Sequence, residues 1–150
     1  MATHIVQHQL LQAVVALLQA APAVAELVQE ERDDSAGFTA ASVVNLSVPS
    51  SEPDEQALSG SPVMWASTLQ AEVMVRAGDG ITGRGALSPV VAALYARLMN
   101  DTTLAAAGWY VDGPPRLAMD STEAQDRIGG ARLTWRVLHR SAWADLTVAA

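Results

Sequence analysis

The chain has 150 residues, half of them apolar and 17% charged, a balance that favours one globular domain with a real core and excludes disorder over most of its length. Its lack of cysteine removes disulfides, thiolate zinc sites, iron–sulfur clusters and a cysteine nucleophile together. Every basic residue is arginine, and residues 1–60 set eight acids against Arg32 alone, which accounts for the whole net charge of −7 and argues against attraction to nucleic acid or an anionic membrane.

The opening run "HIVQHQLLQAVVALLQAAPAVA" has the outline of a secretory leader, but no basic residue precedes Arg32 and Gln7, Gln9, Gln12 and Gln19 interrupt it at helical intervals. It is also too short and too polar to span a bilayer. The pattern predicts a helix over about residues 4–20 capped by Thr3. Val6, Leu10, Ala13, Val14 and Leu17 form its apolar face, Leu11, Val15 and Leu18 widen it, and Pro22 ends it.

"AELVQEERDD" reads as a short strand entering an acidic turn, and the β-branched "ASVVNLSV" over 41–48 as a better strand. "PSSEPDEQALSGSP", with Pro, Ser, Gly and acids but no apolar period, predicts a long mobile loop over 49–62. Two segments then alternate cleanly. From about 66 to 77, Leu69, Ala71, Val73, Val75 and Ala77 face one way; over about 130–140, Ala131, Leu133, Trp135, Val137 and His139 do the same, with Arg132, Thr134, Arg136 and Arg140 opposite. The two are expected in one sheet.

Between them a helix is predicted over about 86–100, with Val90, Val91, Leu94 and Leu98 as its stripe, Leu87 extending it, and Ser88–Pro89 as an alternative start. Asp101 is placed to open a short turn. "WYVDGPPRLAMD" holds one or two strands broken by Pro114 and Pro115. The expected fold class is α+β: a single domain with a mostly antiparallel, mixed sheet, two helices packed on one face, the 49–62 loop, and a C-terminal tail over 144–150 free to be loose.

"VRAGDGITGRGALSPV" contains a literal G-x-G-x-x-G at Gly78, Gly80 and Gly83. A dinucleotide loop follows a strand buried on both faces, whereas 66–77 alternates; Asp79 would put a negative charge into the phosphate nest, and no second βαβ unit follows. A turn from strand to helix is the better reading, and no cofactor is expected. His4 and His8 stand four apart with His139 as a conceivable third ligand, but nothing resembles H-E-x-x-H, and no metal site is assigned. No G-x-S-x-G accompanies His139, and the neighbouring carboxylates Glu30/Glu31 and Asp54/Glu55 read as solvated surface, so no catalytic residue is assigned and no enzyme is expected. Trp135 reads as core; Trp65, Trp109 and Trp143 flank loops or strand ends and can anchor a partner. Arg132, Arg136 and Arg140 form an outer ladder near Arg76 and Glu72, for which a protein-binding face and plain solvation both account.

The order of these pieces resembles the tail terminator proteins of long-tailed bacteriophages (siphophages). The resemblance runs over about residues 3–143: an N-terminal helix, a strand after "APAVAELV", an acidic loop ending at "EPDEQALSGSPVMW", the strand "STLQAEVMVRA", the helix "GALSPVVAALYARLMN", the turn "DTTLAAAGWYVD" and the final strand "GARLTWRVLHRS". It rests on element order, with no single diagnostic motif. It implies a structural virion protein, assembled in the host bacterial cytoplasm, that caps the tail tube as a homo-oligomeric ring of six, stops tube polymerisation and presents the head-joining surface. The implied partners are the chain itself, the major tail tube protein and a head-completion or connector protein, with DNA passing through without specific binding and no membrane. Candidate subunit or tube contacts are Trp65, Arg76, Trp109, Arg132, Arg136 and Arg140; a candidate acidic lumen or loop comprises Asp33, Asp34, Glu52, Asp54 and Glu55. A head–tail connector or tail-completion protein is the alternative. A small hydrolase or ligand-binding enzyme is a distant third, and its mark would be a deep polar pocket around His139.

Overall fold

A computed structural model describes residues 4–30, 40–54, 58–78, 80–120 and 128–150. The fold is α+β. The order is α1 (Val6–Gln19), β1 (Leu27–Glu30), β2 (Ser42–Pro53), β3 (Val63–Arg76), α2 (Gly83–Met99), a one-turn α3 (Thr103–Ala106), β4 (Tyr110–Val111), β5 (Arg116–Asp120) and β6 (Ile128–Ser141). The sheet runs β1-β2-β3-β6, with β4 and β5 both paired to the far side of β6. Only β1 and β2 are parallel, so the sheet is mixed.

The alternation that marks β3 and β6 puts Leu69, Ala71, Val73, Val75, Ala131, Leu133, Trp135 and Val137 on one buried face. Both helices pack there. Leu10, Val14 and Leu18 of α1 and Leu87, Leu94 and Leu98 of α2 join these residues in a single core. In α1 the stripe is centred on Leu10, Leu11, Val14 and Leu18, while Ala13 and Leu17 reach only its margin. The helix begins at Val6 with Ile5 at its cap position and no side-chain cap; Thr3, the expected cap, lies outside the described residues.

The tail expected to be loose over 144–150 is instead tied down. Ser141 bridges to Ala149, Ala142 N donates to Val148 O at 2.9 Å, and Leu146 O takes the Val6 N–H at 2.7 Å. Gln9 Nε2 donates to Thr147 O at 3.0 Å. An uncapped helix start leaves amide donors without partners, and the C-terminal hairpin supplies one acceptor, which is why it is held. The 49–62 loop is a second correction. β2 continues to Pro53 because β3 begins at Val63 and offers a ladder to Ser50–Pro53. Pro49, which cannot donate to a ladder, falls at the register shift between Ser47 and Ser50, the place where a bulge tolerates it.

α2 starts at Gly83, ahead of the expected position and of the Ser88–Pro89 alternative. Thr82 Oγ1 accepts from Gly85 N at 3.1 Å, and Pro89 lies inside the helix. The three glycines of the G-x-G-x-x-G have separate geometric settings. Gly80 sits at φ +77°, and Gly83 is pressed onto β6 so closely that a Cβ there would lie 2.9 Å from Gly129 N. β3, the strand that feeds this turn, is antiparallel to both neighbours, so no βαβ unit exists here. At the other end of α2, Arg97 donates to Leu17 O and Ala20 O at 2.9 Å and to Pro22 O at 2.5 Å, closing the C-terminus of α1 with a cation that complements its dipole. Asp101 caps α3 through Leu104 N at 2.8 Å, and where one or two strands were expected around Pro114–Pro115 there are two, β4 and β5.

Gly83→Ala is expected to lower the unfolding free energy by about 1–3 kcal/mol, because the added methyl meets backbone that cannot yield. Gly78→Ala, where a Cβ meets nothing within 4 Å, should stay within about 0.5 kcal/mol in the same urea titration. Arg97→Met should cost about 1–2 kcal/mol by the same measurement, through three lost carbonyl contacts.

Candidate functional site

The face of the sheet turned away from the helices carries the arginine ladder. Arg132 Nη2 lies 2.9 Å from Glu72 Oε1, directly across the β3–β6 ladder, and Gln70 Nε2 steadies the same carboxylate oxygen at 3.2 Å. Arg136 reaches two carboxylates at once, Asp112 Oδ2 at 2.5 Å and Asp54 Oδ1. The hydrogen bond that Arg136 donates to Asp112, helped by the charges of both acids, raises the guanidinium above its ordinary value. The side chain therefore ties the end of β2 to the segment between β4 and β5. Arg140 is exposed at the far end of the ladder without an ion pair among the described residues, and Arg76, exposed at the end of β3, is itself engaged.

The expected acidic loop and arginine face are thus one surface in their described parts. Glu52 pairs in register with Ala66 on this same face, and Asp54 is bonded to Arg136. Asp33, Asp34 and Glu55 lie outside the described residues. The surface is an alternation of both signs, whose exposed pairs contribute little to stability. Such a pattern leaves little net field to attract polyanions.

The tryptophans divide differently from expectation. Trp65 sits on the opposite, helix-side face, half-buried, with Nε1 donating to Ser141 Oγ at 2.9 Å. It does not share a surface with the arginines. Trp109 packs against the core, and its amide donates to Leu104 O at 2.9 Å. Trp135 is core, as its alternation requires, and Trp143 is the exposed one at 48%.

Beyond the helices the helix-side face turns polar. Ser51 Oγ, Ser67 Oγ and His139 Nε2 form a chain with 2.6 Å at each step. The strands place it: Ser51 pairs with Ser67 across β2–β3, and Ser67 neighbours the His139 position across β3–β6. Serine and histidine at this distance have the spacing of a nucleophile and its base. Ser67 and His139 are each only 1% exposed, however, and among the described residues His139 Nδ1 has no hydrogen-bond partner and no carboxylate orients the ring. A cavity of about 320 Å³, lined by Met64, Gly108, Tyr110, His139, Arg140 and Ala150, adjoins it. The pocket named as the mark of an enzyme has a counterpart in a cavity that His139 itself lines, although the Ser67–His139 pair is almost fully buried. Sequence reading missed the Ser–Ser–His chain because the three residues are brought together by strand register alone.

His4 and His8 stack with ring centroids 4.6 Å apart, and His8 Nε2 is 3.9 Å from Glu30 Oε2. Among the described residues no three His, Cys, Asp or Glu side chains are grouped to hold a metal, and no helix is long and apolar enough to cross a membrane. No protein-family model matches the chain, and no curated protein matches it in sequence.

Burial lowers the His139 imidazole below its ordinary value. The neutral ring is the folded form, and the unfolded chain binds the proton more readily. Stability is complete above about pH 6.5 and falls as the pH drops from there through the folded value. Urea unfolding at pH 7.5, 6.5 and 5.5 should show this decline, and His139→Asn should make the dependence shallower than in the parent chain.

Proposed function

We propose that the chain is a structural virion protein that caps a phage tail tube as a homo-oligomeric ring, stops tube polymerisation and presents the surface to which the head joins. The observation that carries this reading is the division of the sheet. One face packs against two helices, the other carries exposed, alternating charges at Arg132, Arg136, Glu72, Asp54 and Asp112, and the edge strands β1 and β5 lie on opposite sides. A ring subunit requires such asymmetry, since each copy must offer unlike surfaces to its two neighbours and further surfaces to the layers above and below. The element order that resembles tail terminators supplies the identity of those layers: tube protein beneath and connector above.

The excess of acids in residues 1–60 supports a passage that does not hold DNA. The buried Ser67–His139 pair is read as part of the frame, where the Ser67 hydroxyl and His139 Nε2 pair with each other.

Electron microscopy of tails assembled with and without the protein tests the role. Tubes several-fold longer than normal are expected in its absence, with normal length restored on adding it back. Tails of normal length that fail to join heads would favour the connector reading instead.

A further inference from the structure

The described surface has two unlike apolar patches. One is a groove of about 470 Å³ between α2 and the strand at the sheet edge, lined by Val91, Tyr95, Pro115, Leu117 and Met119. Tyr95 and Leu117 are 42% and 49% exposed. The other is the C-terminal hairpin, which holds out Trp143, Leu146 and Val148 at 40–48% exposure around the exposed carboxylate of Asp145. Large side chains on ordered backbone cost little entropy to dock and are the usual anchors of an interface.

Three observations connect the patches. First, their charges are complementary. The Thr147 hydroxyl and amide hold Asp145 below its ordinary value, while Arg84, exposed on α2 one turn before the groove-lining Ser88, has no ion pair among the described residues. Second, one chain cannot satisfy itself. The groove reaches Leu133 and the hairpin leaves the sheet at Ser141, eight positions along the same strand, or about 27 Å at the usual rise. Third, the hairpin is held at its base by the Ser141–Ala149 bridge and at its turn by Val6 N donating to Leu146 O, so its apolar side chains are presented on a preformed support.

Resting on the head-to-tail assembly proposed above, we infer that the C-terminal hairpin of one copy docks in the α2–β5 groove of the next copy, with Trp143 and Leu146 as anchors and Asp145 facing Arg84. The contact is heterologous, because hairpin and groove are different surfaces, so it propagates from copy to copy and ends only when the ring closes. A contact of a few side chains is weak in isolation. Closure makes the last contact intramolecular and strengthens the whole.

The test uses the full chain and two pairs of variants: Leu117→Asp with Leu146→Asp, and the milder Tyr95→Ser with Trp143→Ser in case the first pair fails to fold. In the parent chain, amide chemical shifts at both patches should move together over a dilution series reaching about 1 mM, the range in which a weak contact of this kind is populated. Each variant alone should sediment as a monomer. An equimolar groove and hairpin mixture should give a one-to-one heterodimer and stop, since it holds one intact groove and one intact hairpin. Absence of concentration-dependent shifts in the parent, association that survives in the single variants, or a mixture that stays monomeric would each overturn the inference. Hairpin-dependent assembly by a chain that leaves tube length unchanged would instead uphold the contact and remove the capping role.

Discussion

The ladder between β3 and β6 is the constraint on which the rest of the molecule depends. Two strands of 14 residues pair antiparallel without a break from Val63↔Ser141 to Arg76↔Ile128. Because side chains alternate, this register places Leu69 beside Trp135 and Ala71 beside Leu133 on the helix side, and Glu72 beside Arg132 on the other. A slip of one residue would carry every apolar side chain to the open face and bury the arginines. The apolar alternation and the ion pair therefore enforce the same alignment, which is the agreement between levels expected of a well-specified fold.

The helices are positioned by that ladder. α2 can approach β6 because Gly83 and Gly129 meet with no side chain between them, and this close contact sets where its leucine stripe descends onto the sheet. Arg97 then connects the far end of α2 to the last carbonyls of α1, so one helix fixes the other. The C-terminal hairpin closes the circuit by accepting a donor from the uncapped start of α1. Each contact compensates for something its own element lacks: a cap, a missing acceptor, or room for a Cβ.

The same arrangement separates two kinds of polar group. On the open face Arg132 and Arg136 are neutralised by Glu72, Asp54 and Asp112, leaving a surface of short-range pattern and little net field. On the helix side, Ser51, Ser67 and His139 Nε2 are joined in one hydrogen-bonded chain, while His139 Nδ1 is left without a partner among the described residues. The proposed partner contacts would use the first and the exposed apolar patches; the second keeps the end of the sheet from carrying unpaired hydroxyls in a dry environment.

The α+β class, the shared sheet of β3 and β6, the leucine stripe of α2 and strand content around Pro114–Pro115 were legible from residue order, because periods of 2 and 3.6 are local consequences of burying one face. What residue order could not contain was anything set by contact across the chain. Ser50–Pro53 read as loop and became strand because β3 offered a partner; residues 144–150 read as loose and became a hairpin because α1 lacked a cap; Trp65 read as an anchor and turned inward toward Ser141. Asp54 and Arg136, separated by 82 positions, became one ion pair. Local patterning determines which face of each element seeks burial, while tertiary structure alone decides which polar groups meet, since hydrogen bonds and ion pairs act only over a few ångströms and leave no periodic trace in the sequence.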